Sequence, residues 1–432
     1  MNCRVVAVSV AAALSATALL TGCGSSDDSA DSDGPVKLTY WSWTPDLDKV
    51  VDIWNQAHPD IQVTVKKQAG GDDLITKIIT AAKAHKAPDL VQAEYQALPT
   101  LVSNDVLADI SGQVKESERR FTSGLWRQVT LGTDAVYALP QDSGPMMFYY
   151  RKDLFQQYGL KVPTTWKEFA DTARELKEKA PDKKLTTFSA NDSGLFAGLA
   201  QQAGARWWTT EGDKWKVAID DTATRKVADF WGGLVKEGVI DNQPMYTPSW
   251  NKAMNTGKQI AWVSAVWAPG TLKTAAPDTK GKWAMAPLPQ WSRGSSWTGS
   301  WGGSSTAVTN DSAHKDAAVK FMKWLNTDPK AVAALVKKSN IYPAATEAQN
   351  DDSLAQAPDF FPNQPDFYKK VAKITPGIAP AAWGPNVNVA YASFNDSFGK
   401  AAKNKSDFGA ALRAMQQATV ADLKKHGFEV AE

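Results

Sequence analysis

Eighteen tryptophans stand in this chain of 432 residues, against 15 phenylalanines and 10 tyrosines. Indole is large, apolar on its faces and carries one N–H, so the excess asks for work beyond filling a core. Many of these rings neighbour Gly, Pro or polar residues: Trp41-Ser42-Trp43, Trp207-Trp208 after Gly204, Trp250, Trp267-Ala268-Pro269-Gly270, Trp301-Gly302-Gly303 and Trp383-Gly384-Pro385. Glu94-Tyr95 and Asp142 add carboxyl and phenol groups. An aromatic plane covers the C–H face of a saturated ring, and fixed acids and amides satisfy a rim of hydroxyls. Both types are needed together, because a half-satisfied buried polar group is costly. The set suits a polyhydroxylated ring that is gripped and left unaltered.

Other chemistries find little support. The four histidines (His58, His85, His314, His426) are far apart, and the cysteines are Cys3 and Cys23 alone. Neither a zinc or iron–sulfur centre nor a disulfide scaffold is expected. The sequence has no G-x-S-x-G elbow, P-loop, H-E-x-x-H or G-x-G-x-x-G, so no cofactor is expected. Glu94 and Asp142 could be imagined as a glycosidase pair, but nothing in their spacing selects them. A net charge of +2 leaves no surplus for a nucleic-acid backbone or an anionic membrane.

Elements must position these groups, and the first residues set the compartment. Arg4 precedes an apolar run, Val5 to Leu20, of signal-peptide length. It ends Leu20-Thr21-Gly22-Cys23, which resembles the bacterial lipobox. That resemblance implies cleavage of residues 1–22 and a diacylglycerol thioether and further acyl chain on Cys23. Residues 23–35, polar and acidic, then form a disordered tether. The protein is expected at the extracytoplasmic face of the cell membrane, lipid-anchored.

Beyond the tether, strand and helix alternate. Val36–Trp41 reads as a strand, and Leu47, Val50, Val51 and Trp54 share one helix face. Ile61–Val65 alternates as a second strand, Ile75, Ile78, Ile79 and Ala82 mark a helix, and Asp89–Ala93 a buried strand. This rhythm predicts a mostly parallel sheet flanked by helices. Two strands then bracket Gln141–Pro145. Thr165 and Glu168 make a capping-box pattern. A second α/β block follows, with a hairpin across Trp207 and Trp215. Adjacent strand residues face opposite ways, so at most one of Trp207 and Trp208 should meet a ligand. Trp54, Trp166, Trp231 and Trp324 lie on apolar helix faces and Trp262 and Trp283 within strands, all read as core. Trp126, Trp215, Trp291 and Trp297 receive no assignment. A Gly/Ser/Trp stretch spans Gln290 to Ser305, and the end from His314 is mainly helical.

Taken in order, Tyr40–Trp43, Ala87-Pro88-Asp89-Leu90-Val91, Ala138-Leu139-Pro140 before Phe148–Phe155, Val162-Pro163-Thr164-Thr165-Trp166-Lys167-Glu168-Phe169, Ala286-Pro287-Leu288-Pro289, Trp301–Ser305 and Ala317–Leu325 resemble a known family. It is the carbohydrate-binding solute-binding lipoproteins of bacterial ABC importers, the maltose-binding-protein-like branch. The likeness runs over residues 36–432. It implies an α/β, two-lobe periplasmic-binding-protein-like fold (type II), each lobe a mostly parallel sheet flanked by helices, with a ligand cleft between. Lobe one would be 36–142 plus 290–343 and lobe two 146–287 plus 344–432, with crossings near 142–146 and 287–290. The implied function is capture of an oligosaccharide, di- to tetrasaccharide in size, by lobe closure and delivery to permease subunits powered by a cytoplasmic ATPase. Ligand-binding residues would be Trp41, Ser42, Trp43, Glu94, Tyr95, Asp142, Trp207, Trp208, Trp250, Trp267, Trp301, Gly302, Gly303 and Trp383, with Trp267 the principal stacking ring. No enzyme activity is implied. No oligomerisation signature is present, so a monomer is expected. A secreted glycoside hydrolase, or a binding lipoprotein for a peptide, polyamine or metal, are the alternatives.

Overall fold

The computed structural model describes residues 34–431. The expected signal peptide, Cys23 and nearly all of the tether lie outside the described residues. From Pro35 onward the chain forms one compact unit containing two hydrophobic cores.

Ten strands are numbered in chain order. The first core surrounds β1 (Val36–Ser42), β2 (Ile61–Lys67), β3 (Leu90–Glu94), β4 (Leu139–Pro140) and β10 (Ser304–Val308), in the spatial order β2-β1-β3-β10-β4. The β1 pairs with β2 and β3 are parallel; β10 runs antiparallel to β3 and β4. Burial alternates along β1, with Leu38, Tyr40 and Ser42 inward. The helix Leu47–Ala57 buries Leu47, Val50, Val51 and Trp54, the face its spacing predicts. Trp54 packs on Phe321 and Trp324 of the helix Lys315–Thr327, with ring centroids 5.4 and 5.3 Å apart, and donates its N–H to the Ile61 carbonyl at 2.9 Å.

The second core surrounds β5 (Met146–Arg151), β8 (Ala261–Ala265) and β9 (Trp283–Pro287), with β5 central. A hairpin of β6 (Trp208–Glu211) and β7 (Lys214–Val217) lies apart, as the sequence predicts. Both β5 pairings are antiparallel. The expectation of a mostly parallel sheet therefore holds for one half of the first lobe and not for the second. The physical reason is the route: β5 enters from the first lobe and runs against both neighbours. Parallel pairing among the described residues of this lobe takes the form of isolated bridges, Lys184–Gln259 and Thr187–Asp241 among them. The helix Trp166–Lys179 begins as its sequence predicts, with Thr165 Oγ1 accepting from the Glu168 amide at 3.1 Å. The Glu168 carboxylate reaches one residue further back than a capping box requires, to the Thr164 amide at 2.9 Å.

The chain passes between the cores three times. Residues 141–145, 299–304 and 342–344 lie side by side there: the Gln141 and Asp142 amides donate to the Ser304 carbonyl, Trp301 to Gly144, Ser143 to Tyr342 and Ala344 to Gln141. The second passage differs from the expected 287–290. There the Gln290 amide is held by the Thr164 carbonyl and Trp291 packs on the second core, so residues 290–298 stay with that lobe.

Behind the crossings lies a buried polar relay. Gln92 Oε1 accepts from the Ser42 hydroxyl (2.6 Å), the Thr44 hydroxyl (3.0 Å) and the Trp43 amide (3.2 Å), while its Nε2 donates to Ser304 Oγ at 2.8 Å. Ser304 Oγ in turn donates to Asp142 Oδ1 at 2.7 Å. Gln92→Ala strands several buried donors at once. It is expected to lower the unfolding free energy by at least about 2 kcal/mol, the scale of unsatisfied buried groups, and urea unfolding followed by circular dichroism reads the change.

Candidate ligand-binding site

A cavity of about 190 Å³ opens between the lobes. From the first lobe come Glu94, Tyr95 and Gln96, at the C-terminal end of β3 and the turn that follows, and Gln128 from the helix Ser123–Thr130. From the second come Asp192 and Gly194 at the start of the helix Ser193–Gln202, Trp383 from a loop and Tyr391 from the helix Val387–Asn404. Ser300, Trp301 and Gly302 belong to the second crossing. Strand C-termini and helix N-termini thus converge here, where α/β folds place ligands.

The aromatic walls are held by others behind them. Trp301 meets Trp267 edge-on, with ring centroids 4.7 Å apart and planes at 76°. The Trp267 N–H donates to the Trp301 carbonyl at 2.9 Å. Trp267 then packs on Trp262 at 5.7 Å, Trp262 on Trp250 at 5.3 Å and Trp250 on Tyr246 at 5.5 Å. Trp267, expected to be the principal stacking ring, stands one layer behind Trp301 and outside the cavity lining. Trp250 is two layers further back and fully buried. On the other wall, the Trp383 N–H donates across the cleft to Gln128 Oε1 at 3.1 Å, and the Thr100 hydroxyl to the Pro385 carbonyl at 2.9 Å. The two lobes therefore touch at the mouth. Trp208 is fully buried against Gly384, where any Cβ would collide with its ring, so it braces the Trp383 loop from behind. Trp207 is buried with its N–H on Thr224 Oγ1 at 2.9 Å.

Glu94, Tyr95, Trp301, Gly302 and Trp383 line the cavity. Trp41 lies under the Lys77 ammonium, 4.8 Å from its ring centre. Ser42 is buried on Gln92, and Trp43 packs beside Gly70. Gly303 has φ +93°, and a Cβ there would come within 3.0 Å of the Tyr95 ring, so its lack of a side chain lets the crossing pass that ring. Asp142 is a crossing group rather than a lining one: its carboxylate holds the Ser304 amide at 2.5 Å, and its carbonyl accepts from the Tyr95 hydroxyl at 2.8 Å. Burial pushes its carboxyl up to about 6, against the lowering effect of Ser304.

Sequence reasoning missed Gln96, Gln128, Asp192, Gly194, Ser300 and Tyr391. Asp192 had a signal, since Asp192-Ser193-Gly194 precedes a helical run; its Oδ1 accepts from the Leu195 amide at 3.0 Å. Burial pushes this carboxyl up to about 7, with the Leu195 amide and the Tyr246 hydroxyl acting the other way. Among the described lining residues there is no Lys, Arg or His. The site offers aromatic faces, hydroxyl and amide groups and carboxyl oxygens, and suits a neutral ligand rich in hydroxyl donors.

The sequence profile described as "Bacterial extracellular solute-binding protein" matches residues 40–332. The chain belongs to this family. Its members bind solutes, and their place is extracytoplasmic. The chain is similar to the lactose-binding protein of Rhizobium radiobacter, 26% identical over 383 residues, covering 84% of this chain and 85% of that one. It is also similar to the arabinooligosaccharide-binding protein of Bacillus subtilis (strain 168), 23% identical, over 71% and 73% of the two chains. Among solved structures, the galacto-N-biose/lacto-N-biose I-binding protein of the ABC transporter from Bifidobacterium longum, in complex with lacto-N-biose, superposes with a TM-score of 0.83. It is 30% identical and covers 93% of this chain and all of that one. The ABC transporter associated binding protein from B. animalis subsp. lactis Bl-04, in complex with beta-1,6-galactobiose, gives 0.81 at 25% identity, over 92% and 100%. Both likenesses accord with the two-lobe architecture.

The layering of indoles orders two variants. Trp267→Ala should weaken ligand binding by at least about 1 kcal/mol through loss of support to its neighbour, and Trp301→Ala by more, because it removes the wall itself. Calorimetric titration of both folded variants gives the order; equal or reversed losses contradict it.

Proposed function

We propose that this chain is the sugar-capturing component of an ABC importer. The carrying observation is the interlobe cavity, walled by Tyr95, Trp301, Trp383 and Tyr391 and edged by Glu94, Gln96, Gln128, Asp192 and Ser300, with no cationic side chain among its described lining. A ligand seated there touches both lobes. Its binding energy therefore differs between open and closed arrangements, which is the condition for closure to follow capture. A neutral oligosaccharide supplies stacked ring faces and hydroxyl donors together. The sugars named for the relatives, lactose and lacto-N-biose among them, support this reading.

The disaccharides named for two of the similar proteins, lactose and lacto-N-biose, support the lower end of the expected range. The lipobox-like Leu20–Cys23 supports a lipid anchor at Cys23 on the outer face of the cell membrane, with release to permease subunits driven by a cytoplasmic ATPase. The protein acts as a monomer in this scheme.

A thermal-shift screen against a sugar library tests the reading, since a ligand that binds only the folded state raises its melting temperature. Neutral disaccharides are expected to shift the protein, and no cleavage product should form on prolonged incubation. Uronate or phosphorylated sugars should give no shift, because nothing in the described lining compensates a buried anion beside Asp192. Turnover of the sugar would favour the hydrolase alternative, and a shift with anionic sugars alone would overturn the proposed ligand class.

The proposal also fixes a pH dependence. Sugar hydroxyls donating to Asp192 favour its ionised form, so its carboxyl, near 7 in the free protein, titrates lower in the complex. Affinity should then rise as pH increases through about 6 to 7, by about tenfold for each unit the ligand lowers that carboxyl. Asp192→Asn should flatten the profile. Titrations from pH 5.5 to 8 decide, and a profile unchanged by the substitution removes Asp192 from the ligand contacts.

A further inference from the structure

Away from the cleft, the second lobe carries a groove of about 760 Å³ that sugar capture does not use. It lies between the turn at 162–168, the chain following β9, the loop at 293–298 and the helix Phe367–Ile374. Leu288 and Ile374, 2% and 9% exposed, form its floor, and Pro163 and Pro287 add apolar wall. At its edge stands Trp297, 52% exposed. Its backbone is nonetheless held fast. Gln202 and Gln290 both donate to its carbonyl, at 3.1 and 2.9 Å, and the next amide bonds the Gly377 carbonyl at 2.7 Å. A pinned backbone thus presents an indole to an apolar hollow.

The rim is unevenly charged. Arg293, Lys370 and Lys373 border the groove, with Glu168 the sole carboxylate among the described lining residues. Glu168 is already engaged by Arg293 at 3.0 Å and by Thr164. Lys370 pairs with Asp366 at 3.2 Å, whereas Lys373 has no ion pair among the described residues. An extended peptide is a poor occupant. The Met285 amide and carbonyl on the edge strand β9 are both taken by the Gln364 side chain, at 2.8 and 2.9 Å, and Pro287 has no N–H to offer.

We propose that this groove is a second ligand site, separate from the sugar cleft, for a small amphipathic anion: an alkyl or aryl body on Trp297, Pro287 and Ile374, and a carboxylate or similar head on Lys373. The volume and the mostly apolar wall with a few cations on its rim match small-molecule sites in general. No residue lines both cavities, so the site stands whether or not the cleft takes sugar.

Calorimetric titration of the full chain with octanoate tests it. Saturable binding of one octanoate per chain is expected, with octanamide, the same body without the charge, at least about tenfold weaker. Trp297→Ala and Lys373→Glu should each weaken octanoate by about tenfold or more while leaving thermal unfolding unchanged. Should Trp297→Ala fail to fold, Trp297→Gln makes the same test. No saturable heat, equal binding of octanamide, or variants that bind like the parent would each overturn the proposal.

Discussion

The Asp142 carboxylate holds both the amide and the hydroxyl of Ser304, and so fastens the outgoing passage of the chain to the returning one. Everything between the lobes depends on this join. Backbone that leaves one core for another loses the ladder that satisfied it, and its buried donors and acceptors must find new partners. Here the three passages satisfy one another, and Gln92 carries the network on to the end of β1. Burial disfavours the charge on Asp142, whereas the Ser304 donors favour it. A group balanced in this way sits where the lobes would move relative to each other.

The same join orders the cavity. Tyr95 donates to the Asp142 carbonyl, so the crossing and the first-lobe wall share a hydrogen bond. Trp301 follows immediately on the second passage and is fixed from behind by Trp267, Trp262 and Trp250. An aromatic wall of one ring would have rotamer freedom to lose on binding, whereas a ring backed by edge-to-face neighbours is already ordered. This accounts for much of the tryptophan excess: a few rings face the cavity and several more hold them still.

That layering also explains what could be read from the sequence. The helix at 47–57, the cap at Thr165 and the hairpin at 208–217 were legible because each is set by local spacing. Glu94 and Tyr95 were legible because they follow a strand. Which indole of a chain of indoles comes foremost is a tertiary fact. Trp267 and Trp301 have similar neighbours in sequence, and only the hydrogen bond from one to the other's carbonyl ranks them. Strand direction in the second lobe was hidden for a related reason, since β5 reads as a buried strand whichever way its partners run. Gln128 was hidden more deeply: it sits on a helix of ordinary pattern and matters only because Trp383 arrives from the other lobe.

Contact across the mouth has a mechanical meaning. Hydrogen bonds that cross there include Trp383 to Gln128 and Thr100 to Pro385, and the cavity lies between the same walls. A net hydrogen bond contributes about 1 kcal/mol, so each such bond biases closure only modestly. Moving an equilibrium from mostly open to mostly closed requires several kcal/mol of differential affinity, about 5.5 for a complete reversal. In the proposed function that energy would come from a ligand that meets Tyr95 and Gln128 on one side and Asp192, Trp301 and Trp383 on the other. A solute that touches one wall alone leaves the balance unchanged however well it fits, so a transporter that reads the closed shape would pass over it.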